Sequence, residues 1–283
     1  MKNKFKIILF FGLLFTAQQL CAQNFRATYS FQYKSDSLKE NFTTFPLVLE
    51  VQGAETFFFY EKFLALDSLY QKGTEVSISF PFLQTLSRKT GGDKNSNYFL
   101  SSALYFSFPT EDKIEWKITP QTDTLLGYSV QKAVSRWQDR SWIAWFTTEI
   151  PLPEGPYKFN GLPGLVVNVQ DTKNNFKYEL IGFQKQAEPQ SMENIVWNRF
   201  GLKPKSITLD DYKKLLLNHF LRPFTEFEHM EGNWGYYIGE KEYTSYQELL
   251  QLVPQEQKQI LQNFNPIERE RLKDVYNKAS AVK

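Results

Sequence analysis

The sequence is poor in the residues that most often carry redox or metal chemistry. Cys21 is the only cysteine, and His219 and His229 are the only histidines. Cleavage after Ala22 would remove Cys21, so we expect a mature chain with neither disulfides nor a catalytic thiol. The two histidines are ten residues apart and form no HExxH-type pair. Although three glutamates lie near His229, we predict no metal site and no cofactor.

Long apolar runs and an excess of charge are also missing. The chain has 33 basic and 31 acidic residues, and three of the basic residues lie among the first 22. The rest is therefore nearly neutral, which argues against nucleic acid as a partner because nucleic-acid binding needs a basic surface. No stretch reaches the roughly 20 apolar residues of a membrane-spanning helix, so we predict no transmembrane helix in the mature chain.

Residues 1–22 have the pattern of an export signal. Lys2, Lys4 and Lys6 precede an apolar stretch of eleven residues, and Leu20-Cys21-Ala22 supplies a cleavage site. Cys21 could instead accept a lipid, but that chemistry favours a small residue before the cysteine, where Leu20 stands. We expect an exported protein, in the periplasm, at the outer membrane or secreted.

Aromatic residues make up 17% of the chain and favour β-strands. From Asn24 to Tyr33 they alternate with polar residues, and short apolar segments separated by turn residues continue to about residue 190. These segments include 45–52, 55–60, 98–108, 113–118, 127–137, 141–150, 165–169 and 176–183. We predict an α+β, mostly β fold, in which a curved antiparallel sheet or open half-barrel is followed by C-terminal helices.

The pattern becomes helical towards the C-terminus. Leu209, Tyr212, Leu216 and Phe220 share a helical face, and Thr208 is placed to cap its N-terminus. Segments 246–252, 256–264 and 266–278 also fit helices, the last with Pro266 in its first turn. We expect a signal peptide at 1–22, a β domain at 23–190 and a mainly helical part at 191–283, packed on the same domain.

The most distinctive segment runs from Arg140 to Asp171, RSWIAWFTTEIPLPEGPYKFNGLPGLVVNVQD. Prolines interrupt it and stiffen the chain, and Pro163-Gly164 fits the middle of a type II turn with Gly164 at positive φ. Turns beside aromatic side chains can form a ligand cleft, or they can be a rigid crossover with the aromatics in the core. The candidate binding residues are Trp142, Trp145, Tyr157, Lys158, Phe159, Leu162, Pro163 and Gly164.

The sequences GLPGLV at 161–166, GPYKF at 155–159 and AWFTTEIP at 144–151 resemble the GLPGLI family, exported proteins of Bacteroidota. GYSVQKA at 127–133 and NPIE at 265–268 are also similar to family motifs. The resemblance implies a cell-envelope location, often beside outer-membrane receptor systems, but no established activity and no catalytic residues. More weakly, the strands resemble the curved sheets of periplasmic lipoprotein carriers.

The sequence contains no GxSxG, Walker or GxGxxG motif, so we predict no catalytic residue. The favoured interpretation is a non-enzymatic envelope protein that binds an apolar ligand or an outer-membrane receptor. Two alternatives stay open, a hydrolase that uses two carboxylates and a structural or interaction subunit of a receptor complex.

Overall fold

The computed structural model describes residues 24–76, 84–101, 104–232 and 234–282. The predicted export signal, including Cys21, lies outside these residues. The chain divides into two compact units. The sheet unit comprises the described parts of Met1–Gln32, Thr44–Trp137 and Ser141–Ser206, and the helical unit comprises those of Tyr33–Thr43, Gln138–Arg140 and Ile207–Lys283. The domain boundaries expected from the sequence stay a prediction.

Within the described residues, twelve strands form one open sheet in the order β12-β6-β5-β4-β3-β2-β1-β11-β10-β9-β8-β7. The sheet is antiparallel, except that the two-residue β12 pairs with β6 in parallel. The strands are β1 Asn24–Tyr33, β2 Thr43–Gln52, β3 Glu55–Tyr60, β4 Thr85–Lys89, β5 Lys94–Ser101, β6 Leu104–Glu111, β7 Lys117–Leu125, β8 Tyr128–Trp137, β9 Arg140–Thr147, β10 Leu165–Asp171, β11 Phe176–Gln186 and β12 Lys205–Ser206. The predicted class, mostly β with an antiparallel open sheet and C-terminal helices, is confirmed.

The two faces of the sheet are buried by different elements of the sheet unit. On one face, which we call the helix face, Phe57 and Phe59 pack with Phe63 of helix α1 (Lys62–Gln71) and with Ile195 of a π-helical turn, Glu193–Trp197. On the other, which we call the loop face, Phe58 lies near Tyr157 of the connection between β9 and β10, with ring centroids 6.4 Å apart. Because alternate residues of a strand point to opposite faces, one strand contributes to both cores.

The alternating pattern of β1 is confirmed, because Ala27, Tyr29 and Phe31 are all buried. The single strand predicted over 98–108 is wrong. The structure forms a hairpin there, in which Ser101 of β5 pairs with Leu104 of β6. The sequence 101–104 has no glycine or proline to indicate the turn. The strand predicted at 113–118 begins only at residue 117 and continues to Leu125.

Four further α-helices lie in the helical unit, within its described residues: α2 Leu209–Leu221, α3 Tyr246–Leu250, α4 Val253–Gln262 and α5 Lys273–Ser280. The predicted cap is confirmed, because Thr208 Oγ1 accepts a hydrogen bond from the backbone N–H of Asp211 at 3.1 Å. The helix predicted over 266–278 is confirmed only in its second part, since α5 begins at Lys273 and Pro266 does not lie in its first turn. Before α5, Arg140 donates to the backbone carbonyl of Pro266 at 2.8 Å.

A small hairpin, β13 Tyr236–Ile238 and β14 Lys241–Tyr243, completes the helical unit. Its aromatic residues pack on Phe224 and Leu249 in a small separate core. None of the helices in the described residues is long and apolar enough to cross a membrane.

Candidate functional site: the buried loop between β9 and β10

The loop at 148–164 is built from tight turns around its prolines. Backbone N–H groups donate to the carbonyl two residues earlier at Leu152, Glu154 and Gly164, at 2.7–2.8 Å. The residue in the middle of each turn is a proline, whose fixed φ suits the inverse γ-turn. The predicted type II turn at Pro163-Gly164 is therefore wrong. Gly164 does not adopt positive φ, whereas Gly161 does, at 86°.

Two glycines of the loop are required by close approach of the backbone. A Cβ atom at Gly164 would lie 2.0 Å from the carbonyl oxygen of Thr147, and one at Gly155 would lie 2.1 Å from that of Phe159. Real Cβ atoms do not come so close to backbone atoms, so neither position can accept a side chain without moving the backbone. Close packing of the backbone thus explains why glycine occupies position 164 in GLPGLV and position 155 in GPYKF.

A buried ion pair between Glu154 and Arg88 attaches the loop to β4. Both side chains are fully buried, and their charged groups are in direct contact. The Glu154 carboxylate also accepts hydrogen bonds from the Thr56 hydroxyl at 3.0 Å and from the backbone N–H of Gly91 at 2.7 Å. Arg88 in turn donates to the carbonyl of Tyr157 at 2.6 Å. Each charge is therefore neutralised inside the fold.

A second ion pair joins Lys158 to Asp112 at 2.9 Å, and both side chains are at most 1% exposed. Lys158 also donates to the Thr110 hydroxyl at 3.1 Å. Asp112 accepts from Thr110 at 2.5 Å and from the Asn95 amide at 3.1 Å. Lys158, which the sequence marks as a candidate binding residue, is thus part of an internal polar network that attaches the loop to β5 and β6.

The aromatic side chains of the loop fill the loop face. Phe159 is fully buried, with ring centroids 4.5 Å from Trp142, 5.6 Å from Trp137 and 5.8 Å from Tyr178. The Trp142 indole donates to the carbonyl of Trp137 at 3.1 Å. Five candidate residues, Trp142, Tyr157, Phe159, Leu162 and Gly164, are buried in this packing.

Burial also controls ionisation beside the loop. Tyr29 of β1 is completely buried, and its hydroxyl donates to the carbonyl of Val166 at 2.7 Å. Loss of solvent, followed by the nearby Glu154 carboxylate, raises the pKa of the Tyr29 hydroxyl well above its ordinary value, and Arg88 opposes this only in part. Tyr29 therefore stays protonated and acts as a hydrogen-bond donor.

Trp145 and Pro163 are the two candidate residues that reach solvent. Trp145 alternates with Trp142 and Phe146 along β9, so it lies on the helix-face side of the sheet. It pairs with Asn168 of β10, and the Lys132 ammonium lies 5.9 Å from the centre of its ring. The structure thus separates Trp145 from the candidate residues that pack on the loop face.

The sequence does not indicate four other residues of the buried polar networks that hold the loop, Thr56, Arg88, Asp112 and Glu154. They come from four separate segments, and none belongs to a local motif that indicates a buried charge. An alternation signal is also missing around Thr56, because β3 is apolar on both faces.

Neither histidine belongs to this loop. His219 and His229 are exposed in the helical unit. The described residues contain no group of three or more histidine, cysteine, aspartate or glutamate side chains placed to hold a metal ion.

An open depression of about 290 Å³ lies on β5 and β6. It is lined by Lys94, Asn95, Ser96, Pro109, Thr110 and Glu111. Two of its lining side chains, Asn95 and Thr110, already bind Asp112, which links this depression to the second ion pair.

Comparisons with known proteins point to the same segment. A family model described as a protein of unknown function, Porph_ging, matches residues 136–168. This match runs from the end of β8 through β9 and the buried loop into β10. No curated protein is significantly similar to the chain.

Three solved structures are similar in part. Two structures of PNGF-II, in space groups P21 and C2, both match at a TM-score of 0.49, with 19% and 16% identity, over 69% and 78% of this chain. The matches cover 33% and 36% of those chains, so this chain spans about a third of their length. A domain of an outer membrane lipoprotein-sorting protein from Vibrio parahaemolyticus matches at a TM-score of 0.27 with 8% identity, over 63% of this chain and 93% of that chain. Because each TM-score is below 0.5, none of these likenesses carries an inference about function.

Proposed function

We propose that this chain is an exported cell-envelope protein of the GLPGLI family that acts by binding a partner protein. The order of basic, apolar and small residues in 1–22 supports export. The family proposal is supported by the motifs at 144–151, 155–159 and 161–166, all of which lie inside the segment that matches the model of unknown function.

The choice of a protein partner over an apolar ligand depends on which candidate residues are accessible. The loop face is filled by Phe159 and its aromatic neighbours, and two buried ion pairs attach the loop to the strands beside it. Trp145 lies on the opposite side with Asn168 and Glu179 of the neighbouring strands. Ile181, two residues beyond Glu179, is 60% exposed on the same side. We call these four residues the Trp145 surface.

This surface has the composition of a binding centre. Tryptophan is enriched among the residues that dominate protein–protein affinity, and such residues are usually surrounded by polar groups at the rim. The single observation that carries the proposal is the partial exposure of Trp145 among side chains of that kind. The hydrolase alternative gains no support at the loop, because Glu154 and Asp112 each pair with a different buried cation.

A photo-crosslinking amino acid placed at Ile181 in the producing cells tests this proposal. We expect one crosslinked envelope protein, and we expect it to disappear when Trp145→Ala is added. The same probe at Leu38, which is 90% exposed in the helical unit, serves as the control for random contact. Equal crosslinking from both positions, or none from 181, would contradict a partner at the Trp145 surface.

The folding control for this experiment is the comparison of Trp145→Ala with Trp142→Ala. Trp142 is 1% exposed in the aromatic core, so its truncation should cost about 3–5 kcal/mol of unfolding free energy. Trp145 is partly exposed, and its truncation should cost less than about 1.5 kcal/mol. Urea unfolding measures both values, and similar losses for the two variants would remove the distinction between a core and a surface tryptophan.

A further inference from the structure

Arg199 is a buried cation on the helix-face side that has no acidic partner among the described residues. Its side chain is fully buried. One nitrogen, Nη2, donates to the hydroxyls of Thr85 and Tyr105, each at 3.2 Å. The other two, Nε and Nη1, have no hydrogen-bond partner within the part of the chain that the structure describes.

The surroundings of Arg199 are aromatic. The guanidinium carbon lies 3.9 Å from the centre of the Phe63 ring and 5.0 Å from that of Tyr105. Burial raises the pKa of Tyr105 to about 12, so its hydroxyl supplies no negative charge at neutral pH. That hydroxyl instead donates to the carbonyl of Val196 at 2.6 Å.

These contacts offset only part of the cost of burying the charge. Cation–π contacts stabilise a desolvated charge to a limited extent, whereas burying a charge without a counter-ion costs considerably more. Loss of solvent accordingly lowers the pKa of Arg199. An apolar side chain of similar volume would fill the same space without this penalty, so stability alone does not account for an arginine here.

The segment that carries Arg199 is irregular. It consists of a π-helical turn, Glu193–Trp197, followed by a 3-10 turn, Arg199–Gly201. Phe200 adopts φ of 45°, in the left-handed region that is unfavourable for a non-glycine residue. Trp197 is 40% exposed and contacts Phe57, with ring centroids 5.3 Å apart. Short strained turns open locally more readily than regular elements, and a ligand would reach the guanidinium by such an opening of this segment.

We propose that Arg199 and the aromatic side chains around it bind an apolar carboxylate, a ligand with one anionic group and a short hydrocarbon body. The ligand carboxylate would accept hydrogen bonds from the unpartnered nitrogens of Arg199. Its hydrocarbon part would lie among Phe63, Trp197 and Phe200. This Arg199 site is separate from the Trp145 surface and does not depend on a protein partner.

Titration calorimetry and thermal unfolding with three probes test the proposal on the full mature chain. Hexanoate carries both features of the ligand, acetate carries the charge alone, and hexanol carries the hydrocarbon alone. The main variant is Arg199→Met, which keeps the side-chain volume. Lys203→Met is the matched control, because it removes one positive charge from an exposed position four residues away.

We expect hexanoate to bind saturably to the unmodified protein and to Lys203→Met, and to bind about tenfold more weakly or not at all to Arg199→Met. Acetate and hexanol should bind more weakly than hexanoate. Without ligand, Arg199→Met should unfold at the same temperature as the unmodified protein or at a higher one.

Several results would overturn the proposal. These are absence of hexanoate binding to the unmodified protein, hexanol binding as tightly as hexanoate, and unchanged hexanoate affinity in Arg199→Met. If that variant does not fold, the three probes on the unmodified protein still decide the question.

Discussion

The ion pair between Glu154 and Arg88 gives the sharpest test of how the loop is held. Glu154→Gln keeps the shape of the side chain but removes its negative charge, which leaves the Arg88 guanidinium fully buried without a counter-ion. The glutamine amide also presents N–H groups to a site where three donors now converge, from Arg88, Thr56 and Gly91. Loss of one partner of a buried pair costs about 3–5 kcal/mol.

Urea unfolding followed by tryptophan fluorescence measures this loss. Five of the six tryptophans lie in the sheet unit, so the signal reports mainly the unfolding of that unit. With a urea dependence of about 3 kcal/mol per molar, we expect the midpoint of Glu154→Gln to fall by roughly 1–1.7 M. Adding Arg88→Met removes the stranded charge and should restore part of the loss.

Glu50→Gln is the matched control. Glu50 is also buried and contacts Arg26 at 2.6 Å, but Arg26 is 16% exposed and donates to Gln190 as well. Burial raises the pKa of Glu50 more than Arg26 lowers it, so folding does not favour the ionised carboxylate and loss of its charge should cost less than about 1 kcal/mol. Equal midpoints for Glu154→Gln and Glu50→Gln would refute the argument that the loop is held by a fully desolvated ion pair.

Three further outcomes follow from the geometry. Gly164→Ala places a methyl group 2.0 Å from a backbone oxygen at the end of β9, so it should cost about 3 kcal/mol or more in urea unfolding, and a cost below about 1 kcal/mol would contradict the close approach. Lys158→Met leaves the Asp112 carboxylate buried without its cation and should cost about 3–5 kcal/mol, whereas a stabilised variant would show that the pair is dispensable. Hydrogen bonds from Thr208, followed by Lys214, lower the pKa of Asp211 to about 2, so the stability from this cap should be fully present above about pH 4 and be lost as the pH falls towards 2. In Thr208→Ala, carboxyl NMR titration should show the pKa of Asp211 rising towards its ordinary value, and an unchanged pKa would contradict the assigned cause.

The class of the fold and several of its elements could be predicted because their signals are local. Alternation along 24–33 indicated β1, and the Thr208 cap with an apolar helical face indicated α2. The predictions failed where contacts between residues far apart in the sequence determine the local structure. No glycine or proline indicates the turn between β5 and β6, and the backbone carbonyl of Pro266 accepts a hydrogen bond from Arg140, more than 100 residues earlier in the chain.

The sequence by itself determined that the chain is rich in strands, that its C-terminal part is helical and that the segment around GLPGLV is distinctive. Only the tertiary structure decided why that segment is distinctive. The charges that hold Glu154 and Lys158 come from β4 and from just after β6, more than 40 residues away in the chain. Strand periodicity also could not tell which side of β9 is covered, so Trp142 and Trp145 looked equivalent until the loop was seen to fill one face and leave the other partly open. A local pattern indicates which residues share a face of a strand. Whether that face is buried depends on which other segments of the chain pack on it.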